Sequence, residues 1–314
     1  MNYIKKKKII IPNLKIKQRL DLILSNYFKD YSRSFFKKII LKKQILVNNN
    51  IIKKPNTMIH GGENIIINFI KKKKDVPQNI LLNILYEDED IILINKQCNL
   101  VVHPGIGNNK NTLLNALLYN YKKINNVPRA GIVHRLDKNT SGIMIIAKNV
   151  FSYNFLVTEL KMRRISREYI AIVHGHPNKK KVIANRISRN KKNRTKMSVC
   201  TSGGKLAITY YDLLQKNIDY SLLHISLYTG RTHQIRVHMS HINCPLVGEK
   251  IYTGKKTFIN LKKKFFVKHG YYFFRQALHA KLIKFTHPTT KKRIKCIAPL
   301  PCDMIFLKRK LGFV

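Results

Sequence analysis

The most informative segment of the sequence is GIVHRLDKNTSG, residues 131–142. It lies between two β-type segments, Gly131–Val133 and Ile143–Ala147, so its polar residues should form a loop at the lip of a sheet. Asp137 is then expected near the guanidinium of Arg135 or of another arginine. Such a neighbour keeps a carboxylate ionised even when it is partly buried, and an ionised, oriented carboxylate can act as nucleophile or base at a sugar carbon. Taken alone, Asp137 could equally be a salt-bridged loop carboxylate.

Short β-type runs surround this loop on both sides. Ile84–Tyr86 and Ile91–Lys96 flank an acidic turn and predict a hairpin. Helical spacing marks Thr112–Tyr121 and Tyr153–Arg163. Four further β-type runs follow: Tyr169–Val173, Lys205–Leu213, Leu222–Tyr228 and Ala280–Thr286. Because helices and strands do not alternate regularly, we expect an α+β domain over residues 84–314, with a mixed, mainly antiparallel sheet and flanking helices.

The N-terminal part predicts a smaller helix-and-strand domain. Residues 1–14 are interpreted as a mobile basic leader, residues 15–74 as a compact domain and residues 75–83 as a linker that follows a lysine run. Residues 258–274 form a lysine- and aromatic-rich insertion whose shape the sequence does not indicate.

Local patterns predict the elements of residues 15–74. Apolar residues at helical spacing mark Leu20–Tyr27, and Ser32 is placed to cap a second helix. Ile45–Val47 and Ile65–Ile67 are β-type runs. Asn48–Asn50 is a hairpin turn, since asparagine tolerates positive φ.

The charge of the chain favours a polyanionic partner. Sixty-one Lys and Arg face fifteen Asp and Glu, a formal net charge of +46. Such a surface attracts RNA, DNA or an anionic membrane. The chain is also rich in Asn and Ile, so part of the lysine excess is equally explained by codon bias that fills solvated surface.

Several classes of protein and site are not favoured by the sequence. The five cysteines form no C-x-x-C pair, which suits reduced cytoplasmic thiols, and no run of about eighteen apolar residues predicts a membrane helix. Phosphate-binding glycine motifs are missing, so we expect no cofactor. His233, His238 and His241 have only Glu249 nearby as an acid, so we expect no metal. A cytoplasmic monomer that binds no membrane is the expectation.

The motif residues resemble those of a known enzyme family. Beyond the 131–142 stretch, four segments match in order and spacing: His103-Pro104-Gly105 with Thr112–Leu117, Arg167-Glu168-Tyr169, Thr229–His238, and His241 with Pro245–Gly248 and Gln276–Ala280. Together they cover nearly the whole of residues 84–314. They are similar to the pseudouridine synthases that modify large-subunit ribosomal RNA, transfer RNA or both.

This resemblance implies roles for particular residues. Asp137 matches the essential aspartate, and Arg236 matches the arginine paired with it. Tyr169 matches the tyrosine that stacks on the target base and assists proton removal. The substrate-binding candidates are Arg135, which would fill the gap left by the extruded nucleotide, His134, and Leu282 as an apolar lining residue of the pocket. The family usually has an acid where Asn139 stands, which puts a secondary contact in doubt but not the nucleophile.

The smaller domain resembles the S4 RNA-binding domain. The matching text is Arg19-Leu20-Asp21, Ser32-Arg33-Ser34 and Leu46-Val47-Asn48. By that resemblance, four cations are candidates for phosphate contact: Arg19, Arg33, Lys37 and Lys38.

The expected function is isomerisation of specific uridines in large-subunit ribosomal RNA, free or in a precursor of the large subunit. The target nucleotide must be flipped out of the RNA before its N1–C1′ bond is exchanged for a C5–C1′ bond. Whether Asp137 attacks C1′, adds to the base or removes the C2′ proton stays open. Three alternatives remain: the same chemistry on transfer RNA or another RNA, a non-catalytic RNA-binding ribosome-assembly factor, and a base-releasing glycosidase, which would need a second carboxylate.

Overall fold

The computed structural model describes residues 4–29, 31–70, 75–105, 107–178, 182–254, 259, 261, 265–266, 270 and 272–314. The 71–74 lysine run and most of the 258–274 insertion lie outside this part of the chain. The chain divides into an N-terminal unit, Met1–Lys74, and a larger unit, Asp75–Val314.

The described residues of the N-terminal unit form two helices and six strands. They are β1 (Ile4–Ile10), β2 (Gln18–Arg19), α1 (Leu20–Tyr27), α2 (Arg33–Leu41), β3 (Ile45–Val47), β4 (Asn50–Ile51), β5 (Met58–Ile59) and β6 (Asn64–Ile70). As the spacing predicted, α1 buries Leu20, Ile23 and Leu24. Ser32 caps α2, because its side chain accepts a hydrogen bond from the Phe35 N–H. Both helices therefore follow from local sequence.

Turn chemistry explains the β3–β4 hairpin. Asn48 and Asn49 have φ values of 46° and 67°, and a two-residue hairpin turn of type I′ requires positive φ at both positions. The prediction that residues 1–14 form a mobile basic leader is, in contrast, wrong for residues 4–10. Residues 4–10 form β1, which pairs antiparallel with β6 from Ile4 opposite Ile70 to Ile10 opposite Asn64. As an edge strand β1 exposes Lys6, Lys7 and Lys8, and a lysine-rich edge gives no alternating pattern that could have predicted it.

The larger unit is built on one sheet. Its strands are β7 (Ile84–Glu87), β8 (Ile91–Lys96), β9 (Ser141–Ala147), β10 (Ser166–His174), β11 (Val182–Arg189), β12 (Met197–Cys200), β13 (Lys205–Lys216), β14 (Tyr220–Leu227), β15 (Leu278–Thr286) and β16 (Arg293–Ile297). They run in the order β12-β11-β13-β14-β10-β15-β9-β8-β7, with β16 beside β15. Of these described pairs, β9–β15 is parallel and the others are antiparallel. The mixed, mainly antiparallel sheet is thus confirmed.

Helices flank this sheet. They are α3 (Leu113–Asn120), α4 (Val150–Lys161), α5 (Gln234–His241) and α6 (Cys302–Lys310). Thr112 and Asn115 form a capping box that starts α3, and every residue of β9 is buried. A strand buried along its whole length lies in the middle of the core, so β9 gives a rigid support to the loop that leads into it.

Two local predictions in this unit are corrected. Gly131–Val133 is not a strand: Arg129, Ala130 and Gly131 have φ values of 56°, 49° and 74°, which turn the chain and leave one bridge, from Ile132 to Ile146. Such a turn is not visible in hydrophobic periodicity.

Residues 75–83 do not form a free linker. The Gln78 N–H donates to the Asn115 carbonyl over 3.0 Å, and Asn115 Nδ2 donates to the Val76 carbonyl over 2.7 Å. Ile80 and Leu82 pack against the core. This segment is therefore part of the larger unit.

Gly142, at the end of the 131–142 loop, permits the parallel pairing of β9 with β15. A Cβ here would lie 2.2 Å from the Ala280 carbonyl oxygen, and φ is +115°. We expect Gly142→Ala to lower the free energy of unfolding by roughly 2–4 kcal/mol, measured by urea denaturation. Gly105→Ala is the matched control, because a Cβ there meets nothing within 4 Å. Equal losses in the two variants would contradict the close approach of β9 to β15.

Candidate active site

Asp137 and Arg236 form an ion pair at a large cavity. Arg236 Nη1 donates to Asp137 Oδ2 over 2.9 Å, although the two residues are 99 positions apart in the chain. The side chain of Asp137 is 15% exposed and that of Arg236 is 6% exposed. Both line a cavity of about 780 Å³. The carboxylate is therefore held by a cation while one side stays open to a ligand.

Glu249 holds Arg236 from the other side. Arg236 donates from Nε to Glu249 Oε2 over 2.7 Å and from Nη2 to Oε1 over 2.9 Å, and the Glu249 side chain is fully buried. Burial alone would lower the pKa of Arg236, but its bonds to Glu249 and Asp137 raise it above its ordinary value. Arg236 is thus a fixed cation between two carboxylates. Sequence analysis considered Glu249 only as the one acid near three histidines, in an argument against a metal site. Its pairing with Arg236 depends on folding and could not be predicted.

Tyr169 lies on β10 and lines the same cavity. The pairing of β10 with β15 shifts register between Glu168 and Tyr169, an irregularity that re-aims a side chain. Burial raises the pKa of Tyr169, Arg167 opposes that shift and Asp137 adds to it. Tyr169 therefore presents an aromatic ring and a protonated hydroxyl.

His134 is a neutral group anchored to β9. Its Nε2 accepts a hydrogen bond from the Ile145 N–H over 3.0 Å, which leaves the ring proton on Nδ1. Burial, with Arg167 nearby, lowers the pKa of His134 to about 3. The imidazole therefore contributes shape and hydrogen bonding to the cavity lining, without a positive charge.

The other charged residues of the described cavity lining are cations. They are Arg129, Arg135, Lys161, Arg163, Arg167 and Arg231, and Asp137 is the single acid among the described lining residues. Arg135 is exposed, and within the described part of the chain no hydrogen bond or ion pair engages it. A cavity with this charge suits a polyanionic substrate whose reacting part reaches one carboxylate.

Comparisons with known proteins agree with this geometry. The family model described as RNA pseudouridylate synthase matches residues 90–241, and the S4 domain model matches residues 18–65. The ribosomal large subunit pseudouridine synthase D of Buchnera aphidicola subsp. Acyrthosiphon pisum is 49% identical over 296 residues, 94% of this chain and 95% of that protein. The chain belongs to the RNA pseudouridylate synthase family. The protein of the same name from Escherichia coli K12 is 46% identical over 292 residues, 92% of this chain and 89% of that protein.

Solved structures of the family share the fold. Human RNA pseudouridylate synthase domain containing 4 superposes with a TM-score of 0.59 at 22% identity, covering 73% of this chain and 93% of that one. Human RNA pseudouridylate synthase domain containing 1 gives a TM-score of 0.54 at 25% identity, covering 71% and 85%. The expected family, fold class and isomerase activity are thereby confirmed.

Leu282 does not line the cavity of this pseudouridine synthase. It lies on β15 opposite Glu168 and Ile297, and Leu278 of the same strand lines the cavity instead. Leu278 pairs with Ala171 on the face of Tyr169, whereas the register shift beside Tyr169 places Leu282 on the opposite face, that of Glu168. Simple alternation would place both leucines on one face, and the irregularity that separates them is not visible in the sequence.

Asn139 also lies away from the active-site lining. Asn139 lines a second cavity with Phe274, Arg275 and Asp303. Its backbone carbonyl accepts a hydrogen bond from Arg275 Nη1 over 3.2 Å. Among the described contacts, Asn139 is therefore engaged with Arg275 and not with the Asp137 carboxylate.

In the S4 domain, the two predicted arginines share one carboxylate. Arg19 Nε and Arg33 Nε donate to Asp21 over 3.0 and 3.1 Å, and the Asp21 side chain is 3% exposed. Burial would raise the pKa of Asp21, but these hydrogen bonds lower it. The arginine side chains remain 43% and 50% exposed, and Lys37 and Lys38 are exposed on α2. All four cations are thus accessible to a ligand.

One trio in the described residues has metal-ligand atoms within 4.8 Å of one another: Asp88, Asp90 and His287. Internal bonds engage it, since Asn149 Nδ2 and Ser152 Oγ each donate to Asp90 over 2.8 Å. His287 Nε2 is 2.9 Å from Asp88 Oδ2. These contacts fit a structural junction, and the absence of a metal stays a prediction.

Proposed function

We propose that this chain isomerises specific uridines of large-subunit ribosomal RNA to pseudouridine. The single observation that carries the proposal is the Asp137–Arg236 pair in a cationic cavity that Tyr169 also lines. The proteins named as acting on the ribosomal large subunit match this chain over nearly its whole length. The relatives support ribosomal RNA as the substrate, and the cavity with its Asp137–Arg236 pair supports the isomerisation.

The geometry suits the chemistry of the reaction. The N1–C1′ bond breaks, the uracil turns, and C5 is joined to C1′. The uridine must first leave the RNA stack, at a cost of a few kcal/mol, and an inserted Arg135 with Tyr169 as an aromatic floor would return part of that cost. Arg236 orients Asp137 for its action on the nucleotide. One carboxylate suffices because water is not the acceptor, unlike in most glycosidases.

The partner in this proposal is ribosomal RNA, free or in a precursor of the large subunit. We assign RNA contact to residues 15–74, extended by β1, through Arg19, Arg33, Lys37 and Lys38, and catalysis to residues 84–314. A cytoplasmic monomer without metal or cofactor is part of the proposal. No helix among the described residues is long and apolar enough to cross a membrane.

The test is direct. Purified protein is incubated with large-subunit ribosomal RNA transcript and, separately, with transfer RNA, and the digests are analysed by mass spectrometry for pseudouridine. We expect product from the ribosomal transcript. Product from transfer RNA alone would overturn the substrate, free uracil would favour a glycosidase, and neither product would favour an assembly factor.

Arg135→Ala tests base flipping. Because Arg135 is exposed and makes no bond to the described residues, we expect the free energy of unfolding to change by less than about 0.5 kcal/mol. Loss of the side chain that fills the vacated stack should lower kcat/KM by roughly 10- to 100-fold on folded RNA. The loss should shrink on an RNA whose target uridine is unpaired. Lys138→Ala, an exposed neighbour outside the cavity lining, is the charge-matched control, and an equal loss there would indicate a general charge effect.

A further inference from the structure

The second oxygen of Asp137 faces a histidine. His233 Nε2 lies 3.6 Å from Asp137 Oδ1, whereas Oδ2 is taken by Arg236. His233 immediately precedes α5 and has φ 55° and ψ 23°, the left-handed region. A non-glycine residue in that region costs free energy and persists where the surroundings hold it, often at functional sites.

Tyr252 determines which nitrogen of His233 bears the proton. The Tyr252 hydroxyl accepts a hydrogen bond from the Met197 N–H over 3.2 Å and also bonds to His233 Nδ1. With the Met197 N–H at one acceptor position, Nδ1 is the acceptor that the described contacts offer to the phenol proton, and the tautomer of His233 that accepts it carries its hydrogen on Nε2. Nε2 of a neutral His233 therefore bears its hydrogen, directed at Asp137.

The surroundings keep His233 neutral. Burial lowers its pKa; Asp137 and Glu249 oppose that shift, and Arg236 and Arg135 add to it. Among the described residues, these four and Tyr252 are the titratable and charged groups that face it. Because a neutral His233 carries no charge, Arg236 is the one cation in contact with Asp137 among the described residues. The carboxylate is therefore oriented from two sides and neutralised from one.

The two donors are joined behind the carboxylate. Glu249, which holds Arg236, also accepts from the Tyr252 N–H over 3.3 Å through Oε1. The Arg236 guanidinium lies 5.3 Å from the centroid of the Tyr252 ring. The contacts therefore close a ring, from Asp137 through Arg236, Glu249, Tyr252 and His233 back to Asp137.

We propose that His233, held by Tyr252, is a positioning residue that donates its Nε2–H to Asp137 Oδ1 when substrate fills the cavity. The inference rests on the proposed function. The present 3.6 Å exceeds a hydrogen bond, and contacts of this kind tighten in the substrate complex. Its role is to fix the orientation of the Asp137 carboxylate toward the nucleotide.

Two substitutions at His233 test the donor. His233→Leu removes it, and we expect kcat to fall about 10- to 100-fold, as for the loss of a hydrogen bond to a charged group, with KM for RNA unchanged. His233→Gln restores an N–H at similar reach and should recover most of kcat. His241→Gln, exposed at the end of the same helix, is the control. A wild-type kcat in His233→Leu, equal losses in Leu and Gln variants, or a loss confined to KM would overturn the proposal.

A second measurement does not depend on turnover. Nitrogen NMR of protein labelled on its twelve histidines, with the His233 signals assigned by their loss in His233→Gln, reports the tautomer. We expect a neutral ring protonated on Nε2 in the wild type and a mixture of tautomers in Tyr252→Phe. A ring protonated on Nδ1 would overturn the proposal. If the wild type makes no pseudouridine but shows the Nε2–H ring, the proposed function fails and the local arrangement stands.

Discussion

Replacement of Asp137 by asparagine is expected to abolish pseudouridine formation and leave the protein folded. Asparagine has the same shape and can still accept from Arg236 through its oxygen, but it is neither a nucleophile nor a base. Because Glu249 continues to pair with Arg236, the cation is not left unpaired. We expect the single-turnover rate on ribosomal transcript to fall by at least about 10⁴-fold.

The control for this prediction is another acid of the same unit. Glu89→Gln also removes one negative charge, at an exposed position in the β7–β8 turn, and should keep the wild-type rate. Thermal unfolding of both variants checks that the fold is intact. A rate in Asp137→Asn within ten-fold of the wild type would show that the reaction depends on a different group.

Arg236→Met is expected to destabilise the fold and to abolish activity together. The substitution leaves Glu249, whose side chain is fully buried, without its cation. Removing one partner of a buried ion pair costs about 3–5 kcal/mol, so the free energy of unfolding should fall by that amount in urea denaturation. Asp137 loses its bound cation at the same time, so turnover should be lost even at temperatures where the variant is folded.

The double variant Arg236→Met, Glu249→Gln separates the two effects. Glutamine is neutral and keeps an oxygen for the Ile251 and Tyr252 N–H groups that Glu249 now accepts. We expect it to recover most of the lost stability, since the buried charge is gone, but none of the activity. Recovery of both would mean that Arg236 serves only to neutralise Glu249.

Local physics explains why several elements could be predicted from sequence. The Asn48–Asn49 turn depends on residues that accept positive φ, and the starts of α2 and α3 depend on Ser32 and Thr112 as caps. These are interactions over three or four positions. The edge strand β1 was missed because its pairing partner lies some sixty positions later and its lysines face solvent.

In the active site, too, the features set by local sequence could be predicted and those set by long-range contacts could not. The motif around Asp137 is contiguous, so its resemblance to a family could be read directly. The partnership of Arg236 with Glu249, the position of His233 opposite Oδ1, and the choice of Leu278 over Leu282 all depend on how distant segments meet. No periodicity or spacing in the sequence contains that information.

The parallel pairing of β9 with β15 has a consequence for biosynthesis. Ser141 and His279 hydrogen-bond across this pair although they are 138 positions apart. Closing so long a stretch costs chain entropy, and the ribosome must already have made β15 before the closure can occur. A nascent chain that has passed Arg236 but not Leu278 contains Asp137, Tyr169 and Arg236 and still lacks the strand beside Gly142. Emergence of β15 is therefore the event that completes the frame of the Asp137 loop during translation.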